Sequence, residues 1–270
     1  MIAHSTKIQI LTLLFVAFVM FFLRLDSKHL MDNEESRFAL QARTMIETGD
    51  WVVPRWSHRP QGTKPPLFTW TVAALSKLAG GVSEWTTRFP SALAALGTAL
   101  LVFWVGNRLF GGPAGFLGAL VLSTAFLFWD SARFARSDML LTFFITLSVS
   151  LIIVGSEEGR RAGTFMVGAF MGAALGMLSK GPVGFVLPSL VSFFYLTFSK
   201  RWLRFPGWSY AVGVVSFLVI ILPWYWAYSH IAGGEHLWEM LFRQNVTRYL
   251  SAFDHKNPLY FYKGFFLKKS

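Results

Sequence analysis

The sequence predicts an all-α integral membrane protein, a helical bundle of about seven spans with a helical first outer loop. Three observations predict it. Hydrophobic residues make up 54% of the 270 residues and charged residues only 14%, where an ordinary soluble domain carries about 25% charged residues. The mean hydropathy is +0.47. The apolar residues also gather into long runs, close to the roughly 20 residues that cross a bilayer. Cysteine is absent, which excludes a disulfide framework, a thiolate metal site and a cysteine nucleophile. A net charge of +11 is the kind of excess that nucleic-acid binders carry. Here, however, the basic residues sit singly or in pairs between apolar runs, as in membrane loops. No nucleic-acid partner is expected.

Seven stretches approach span length: Ile8–Leu23, Phe89–Val105, Pro113–Trp129, Met139–Val154, Ala162–Leu178, Val183–Phe198 and Trp208–Tyr228. Arg24-Leu25-Asp26 follows the first with no small-residue cleavage pattern, so it reads as an uncleaved span. Pro66–Leu78 is too short to cross and is expected at the interface or packed under the bundle. The basic pairs Asn107-Arg108, Arg160-Arg161 and Lys200-Arg201, with Arg204, face the cytoplasm by the positive-inside rule. Seven spans then place four chemically richer stretches together on the outer side: 26–88, Asp130–Asp138, 179–182 and the tail after His230. The expected division is a transmembrane core over 1–228, including outer loop 26–88, followed by an outer-side tail over 229–270.

Asn33 is placed to cap a helix running to about Thr48 and closed by Gly49. On it Phe38, Ala42, Met45 and Ile46 form an apolar stripe, while Glu34, Arg37, Gln41, Thr44 and Thr48 form the opposite polar one. Asp32, Glu34 and Glu35 crowd three carboxylates into four positions. They repel one another unless a cation, a metal or a proton intervenes, and a paired acid of this kind suits general base work. The alternative is an acidic helix start favoured by the macrodipole. Pro65-Pro66 forces an extended residue before it and then a helix start, which holds Lys64 at an interface where it suits either a lipid phosphate or plain snorkelling. Arg133 and Arg136 beside Asp138 suit a phosphate or the orientation of a carboxylate, or simply a charge-balanced helix end. Lys180 ends one span, Gly181 closes it and Pro182 opens the next. Beyond the last span, Arg243 and Arg248 present guanidinium forks to an anion. Asn245-Val246-Thr247 also spells a glycosylation triplet, of a kind frequent by chance.

Taken in order, these segments resemble the bacterial polyprenyl-phosphate-sugar glycosyltransferases of the GT-C membrane fold, which include lipid A aminoarabinose transferases and relatives of the protein O-mannosyltransferases. The residues that carry the resemblance are Asn33-Glu34-Glu35-Ser36-Arg37-Phe38-Ala39, Glu47-Thr48-Gly49-Asp50-Trp51-Val52-Val53-Pro54, Lys64-Pro65-Pro66-Leu67-Phe68 and Arg88-Phe89-Pro90-Ser91-Ala92. Ala132-Arg133-Phe134 with Asp138, Lys180-Gly181-Pro182, Pro223-Trp224-Tyr225, and Arg248-Tyr249-Leu250 with Asp254-His255 complete the series.

The resemblance implies an inverting transfer of a hexosyl or pentosyl unit from an undecaprenyl-type phosphate to a lipid or other cell-envelope acceptor. It places the reaction at the outer face of the bacterial inner membrane. The family's acidic pair maps onto Glu34 and Glu35. The first member is usually Asp, so Glu34 is a substitution and nearby Asp32 stays open as a candidate. Asp138 is the second carboxylate. Arg37, Lys64 and Arg248 are expected to hold the lipid phosphate with support from Lys180, and Arg133 and Arg136 are further candidates. In the aminoarabinose branch a carboxylate precedes the KPP lysine and joins a metal site. Thr63 stands there in this chain, and the family's later histidine position is Asn245. No cofactor is therefore assigned, and a divalent metal stays an alternative that these two residues argue against. Family members also run longer, with further spans and a soluble outer domain. The resemblance therefore leads one to expect a C-terminal truncation, with a second chain as a candidate source of the missing region. Competing readings are a non-catalytic lipid-linked-sugar binding or flippase subunit and an inactive remnant. A transporter is disfavoured because ionisable residues cluster at span ends rather than in mid-span.

Overall fold

The computed structural model describes residues 2–30, 33–56, 59–60 and 64–247. Helix α1 (Ile2–Ala17) runs directly into a π-helical turn, Phe18–Phe22, which ends where Arg24 takes a left-handed conformation at φ 57°. Helix α2 (Asn33–Thr48) stops at Gly49, whose φ of +72° a side chain would oppose. Its start and end are those the sequence predicts. Asp50 then builds a local turn, its Oδ1 accepting from the Val52 and Val53 backbone N–H groups while its Oδ2 accepts from Arg55 Nε. A two-residue antiparallel pairing follows, β1 (Arg55–Trp56) with β2 (Arg59–Pro60), a small exception to the all-α expectation.

Helix α3 (Leu67–Leu78) begins directly after Pro65-Pro66 and packs against α2 and α4. Helix α4 (Glu84–Phe110) opens on a capping box in which Ser83 and Thr86 satisfy each other's backbone N–H. Helices α5 (Gly112–Thr124) and α6 (Phe126–Ala132) meet at a 68° bend, so the expected span Pro113–Trp129 is broken. The break lies at Ala125, whose ψ of 127° is extended. The remaining long helices are α7 (Ser137–Gly155), α8 (Ala162–Lys180), α9 (Val183–Ser199) and α10 (Gly207–Ala232). A short helix α11 (Gly234–Trp238) and a π-helical stretch, Glu239–Thr247, end the described region.

All seven expected stretches are helical, and the chain is a multi-pass membrane protein. Among the described residues α4, α7, α8 and α10 are each long and apolar enough to cross a membrane, and the bent α5–α6 pair makes a fifth if it is one span. The apolar parts of α1 (Thr6–Phe22) and α9 (Val183–Phe198) are shorter, at no more than 17 residues. The three basic connections gather at one end of the bundle. Arg108, at the end of α4, pairs with Glu158, and Arg201, after α9, pairs with Glu157. The Arg201 guanidinium holds the Glu157 carboxyl below the ordinary carboxylate range.

At the other end an apolar core joins Phe38, Ala42 and Met45 of α2 to Phe68 and Val72 of α3, to Ala92, Ala94 and Ala95 of α4 and to the first turn of α7. A second core packs Val53 against α8 and α10. The two cores are linked by indole donors: Trp70 Nε1 donates to Trp51 O at 2.6 Å, and Trp224 Nε1 donates to Val52 O at 2.8 Å. This explains why the Asp50–Pro54 segment and Pro223-Trp224-Tyr225 belong to one pattern despite their separation. The loop's carbonyls are satisfied by side chains from the bundle, which fixes the chain between α2 and α3.

Candidate functional site

The first turn of α2 carries Glu34 and Glu35, and packing of Phe38 onto Phe68 sets how that turn is rotated, with ring centroids 4.7 Å apart. Glu34 Oε1 accepts from Lys64 Nζ at 2.8 Å, and its Oε2 lies 4.0 Å from Arg136 Nε. Lys64 is held by the prolines that follow it and sits 5.5 Å over the Phe38 ring, a cation–π contact that covers its stem. Arg37 and Gln41 line a recess of about 10 Å³ with Lys64 and Pro65, room for about one water. Gln41 is buried and accepts from Thr69 Oγ1 at 3.1 Å. The expected polar stripe therefore does not face solvent along its length, because α3 covers its middle.

Asp138 stands in the first turn of α7 and pairs with Lys180, the last residue of α8. The fields of Lys64 and Arg136 reach Asp138 as well. Lys180 is positioned by a tight helical hairpin in which Gly181, at φ +92°, ends α8 and Pro182 starts α9. The two helices then touch backbone to backbone: a Cβ on Gly184 would lie 2.1 Å from the Gly176 carbonyl carbon. Glu34, Lys64, Arg136, Asp138 and Lys180 thus converge from four separated segments on one end of the bundle. All five are partly exposed, so the cations remain accessible to an anion.

Glu35 points elsewhere. It is fully buried and takes both its oxygens to Arg88, with Nε and Nη2 each at 2.9 Å. Its Oε1 also accepts the Ala135 N–H at 2.8 Å. Arg88 in turn donates from Nη1 to the carbonyls of Leu25 and Lys28, both at 2.7 Å, and from Nη2 to His29 O at 3.1 Å. One turn further along α4, Ser91 Oγ donates to Arg136 O at 3.3 Å and accepts the Arg136 N–H at 3.4 Å. Arg88 and Ser91 therefore hold the α6–α7 turn from one face of α4, with every charge paired and every fork nitrogen used. Arg88 belongs to the recognised segment Arg88-Phe89-Pro90-Ser91-Ala92 but was not among the candidate site residues. Its signal was an arginine at the threshold of an apolar span, where a charge needs a partner.

The Arg133–Arg136 pair is split by that turn. Arg136 faces Glu34, whereas Arg133 donates to Met20 O at 3.1 Å and to Arg24 O at 3.2 Å, away from the Lys64 cluster. Asp32, Arg248, Asp254 and His255 lie outside the described residues, as do Thr63 and the Asn245 side chain. Among the described residues no group of three or more His, Asp or Glu side chains is placed to hold a metal ion.

Residues 63–226 match the protein family described as dolichyl-phosphate-mannose-protein mannosyltransferase. Over 258 residues the chain is 31% identical to an uncharacterized protein of Aquifex aeolicus, covering 94% of this chain and 50% of that one. It is 29% identical to the undecaprenyl phosphate-alpha-4-amino-4-deoxy-L-arabinose arabinosyl transferase of Pseudomonas aeruginosa, covering 94% of this chain and 47% of the relative. Among solved structures, ArnT from Cupriavidus metallidurans bound to undecaprenyl phosphate is similar with a TM-score of 0.78 at 28% identity, over 87% of this chain and 44% of that one. The chain spans about half the length of the curated relatives it matches. The family match takes in Lys64, Arg88, Arg136, Asp138 and Lys180 and extends over more than half of the chain, so this protein belongs to the dolichyl-phosphate-mannose-protein mannosyltransferase family.

Proposed function

We propose that this chain carries the donor-phosphate site of an inverting glycosyltransferase, which moves a sugar from a polyprenyl-phosphate carrier to a lipid or other cell-envelope acceptor at the outer face of the bacterial inner membrane. The observation that carries the proposal is the pairing of two carboxylates with two lysines at one end of the bundle, Glu34 with Lys64 and Asp138 with Lys180. The same donor chemistry is named in the relatives, an undecaprenyl phosphate-linked sugar in one and bound undecaprenyl phosphate in another.

The chemistry fits these side chains. In an inverting displacement an acceptor oxygen attacks the anomeric carbon, its proton passes to a carboxylate, and the bonding pair of the breaking C–O bond leaves on the lipid phosphate. Charge grows on that phosphate, so cations aimed at it accelerate departure. Lys64, Arg37 and Arg136 serve the phosphate with Lys180 in support, and Arg248 belongs to the same set. Glu34 acts as base or orients the acceptor, with Asp138 as second carboxylate; Asp32 remains a candidate for the same duty. Glu35 serves by holding Arg88 and the turn that carries Arg136. Each lysine is already paired with a carboxylate, Arg136 and Arg37 add positive charge beyond those two pairs, and an arriving phosphate competes for the same ammonium groups. A second chain that supplies the rest of the relatives' length belongs to the same proposal, and co-purification tests it.

The direct test is transfer in proteoliposomes, with radiolabelled polyprenyl-phosphate sugars and a lipid extract as acceptor. Transfer that is lost in Lys64→Ala and in Glu34→Gln, with insertion intact, supports the proposal. Full transfer in Lys64→Ala would sink it. Saturable lipid-phosphate binding without transfer would favour the binding-subunit reading.

A further inference from the structure

A second cavity at the same end of the bundle, of about 860 Å³, lies on the far side of the Arg88–Glu35 pair from Lys64. Its walls are the π-helical turn at the end of α1, the turn that follows it, and α6 with Arg133. Arg24, Lys28, Arg88 and Arg133 line it against two carboxylates, Glu35 and Asp130. Glu35 is committed to Arg88 and the Ala135 N–H, and Arg88 is spent on Glu35 and three carbonyls. The charge offered to a ligand therefore comes from Arg24 and Lys28, both exposed, and from the edge of Arg133. His29 is directed to Glu84 instead, at 3.3 Å.

The shape is held independently of any ligand. Met20 O accepts from both Trp129 Nε1 at 2.9 Å and Arg133 Nη1 at 3.1 Å, which ties the irregular end of α1 to the bent α5–α6 segment. Arg133 also lies 5.8 Å over the Trp129 ring. π-Helical turns and broken spans are where membrane helices open cavities rather than close-packed faces. Below the cationic rim the wall is hydrocarbon. Val19 and Leu23 are exposed on the membrane side of the turn, and Trp129 sits at the junction as interfacial tryptophans do. Cations above and exposed apolar side chains below match an amphiphile with an anionic head and at least one alkyl chain.

We infer that this cavity, lined by Arg24, Lys28 and Arg133 above Val19, Leu23 and Trp129, is a second lipid site that takes the phosphate headgroup of an anionic lipid. It is separated by the buried Arg88–Glu35 pair from the cluster around Lys64. The inference does not depend on sugar transfer, so the two fail independently.

The test is native mass spectrometry of the purified chain titrated with phosphatidic acid, phosphatidylglycerol, phosphatidylcholine or inorganic phosphate. The variants are Arg24→Gln with Lys28→Gln, and, at the opposite end of the bundle, Arg160→Gln with Arg161→Gln. Neither Arg24 nor Lys28 is buried, and Lys28→Gln alone serves if the double variant is not monodisperse. The expected result is that one anionic lipid binds with preference over phosphatidylcholine. The Arg24/Lys28 variant weakens it by about tenfold or more, the scale of losing two cations near a lipid phosphate, and the Arg160/Arg161 variant keeps it. Equal loss in both variants, or none in either, overturns the site. Inorganic phosphate displacing the lipid at a comparable concentration overturns the lipid assignment, because the chain contacts would then contribute nothing.

Discussion

Glu34 and Glu35 are neighbours in the chain, yet their carboxylates serve different compartments: Glu34 pairs with Lys64 at the accessible end of the bundle, and Glu35 is buried against Arg88. Successive residues of an α-helix point about 100° apart. The contact of Phe38 with Phe68 fixes the rotation of that turn, so one carboxylate is delivered to the site and the other to the wall behind it. Each has its own cation, and the crowding evident in the sequence is relieved by pairing.

That division predicts separable phenotypes. Glu34→Gln is expected to lower the turnover of sugar transfer by roughly 10²–10⁴, the range for losing a positioned base, with the unfolding midpoint unchanged. Glu35→Gln is expected to lower the midpoint first and activity only as a consequence. Transfer rates and denaturation in mixed micelles, read side by side, distinguish the two.

Arg88 is expected to be a stability residue of unusual weight for a charged group. Arg88→Ala strands the buried Glu35 carboxylate and leaves the carbonyls of Leu25, Lys28 and His29 without their donor. The cost is about 3–5 kcal/mol. Arg88→Lys recovers only part of it, since an ammonium cannot reproduce the two-nitrogen fork. Equilibrium unfolding of the two variants in the same detergent measures the difference.

Lys64→Ala is expected to abolish transfer and to weaken retention of polyprenyl phosphate, while membrane insertion stays normal because the prolines and not the lysine start α3. Lys64→Arg is expected to keep binding and lose most of the transfer, as the planar fork replaces a point charge beside Glu34. Flotation of the inserted protein together with bound radiolabelled lipid reports both quantities.

The α8–α9 hairpin makes a prediction distant from any charge. A side chain on Gly184 meets the Gly176 backbone, so Gly184→Val forces the hairpin apart at a cost of about 1–3 kcal/mol. Lys180 then moves away from Asp138. The expected readout is reduced transfer without loss of polyprenyl-phosphate binding at Lys64, because Lys64 is held by Glu34 of α2 and by the prolines that start α3 rather than by α9.

Trp224→Phe removes the donor to Val52 O and leaves a shielded carbonyl unsatisfied, at about 1–3 kcal/mol. The loop between α2 and α3 should then become the first cleavage point in limited proteolysis. An unchanged digestion pattern would show that Trp70 alone anchors it.

The sequence by itself determined the membrane class, the helical character of all seven apolar stretches, the limits of α2, the start of α3 after Pro65-Pro66 and the Lys180 turn. Each of these depends on neighbours in the chain: apolar run length, a glycine with positive φ, or a proline without an N–H. The break in Pro113–Trp129 was not legible, because a bend at an alanine leaves no mark on composition. Tertiary structure alone decided that Glu35 faces Arg88 rather than the site, that Gln41 is covered by α3, and that Arg133 and Arg136 part company. Those outcomes depend on how each helix is rotated about its axis and on which distant segment meets it, and packing sets both. A charge in a half-dry site takes the nearest counter-charge, and only the assembled bundle determines which one is near.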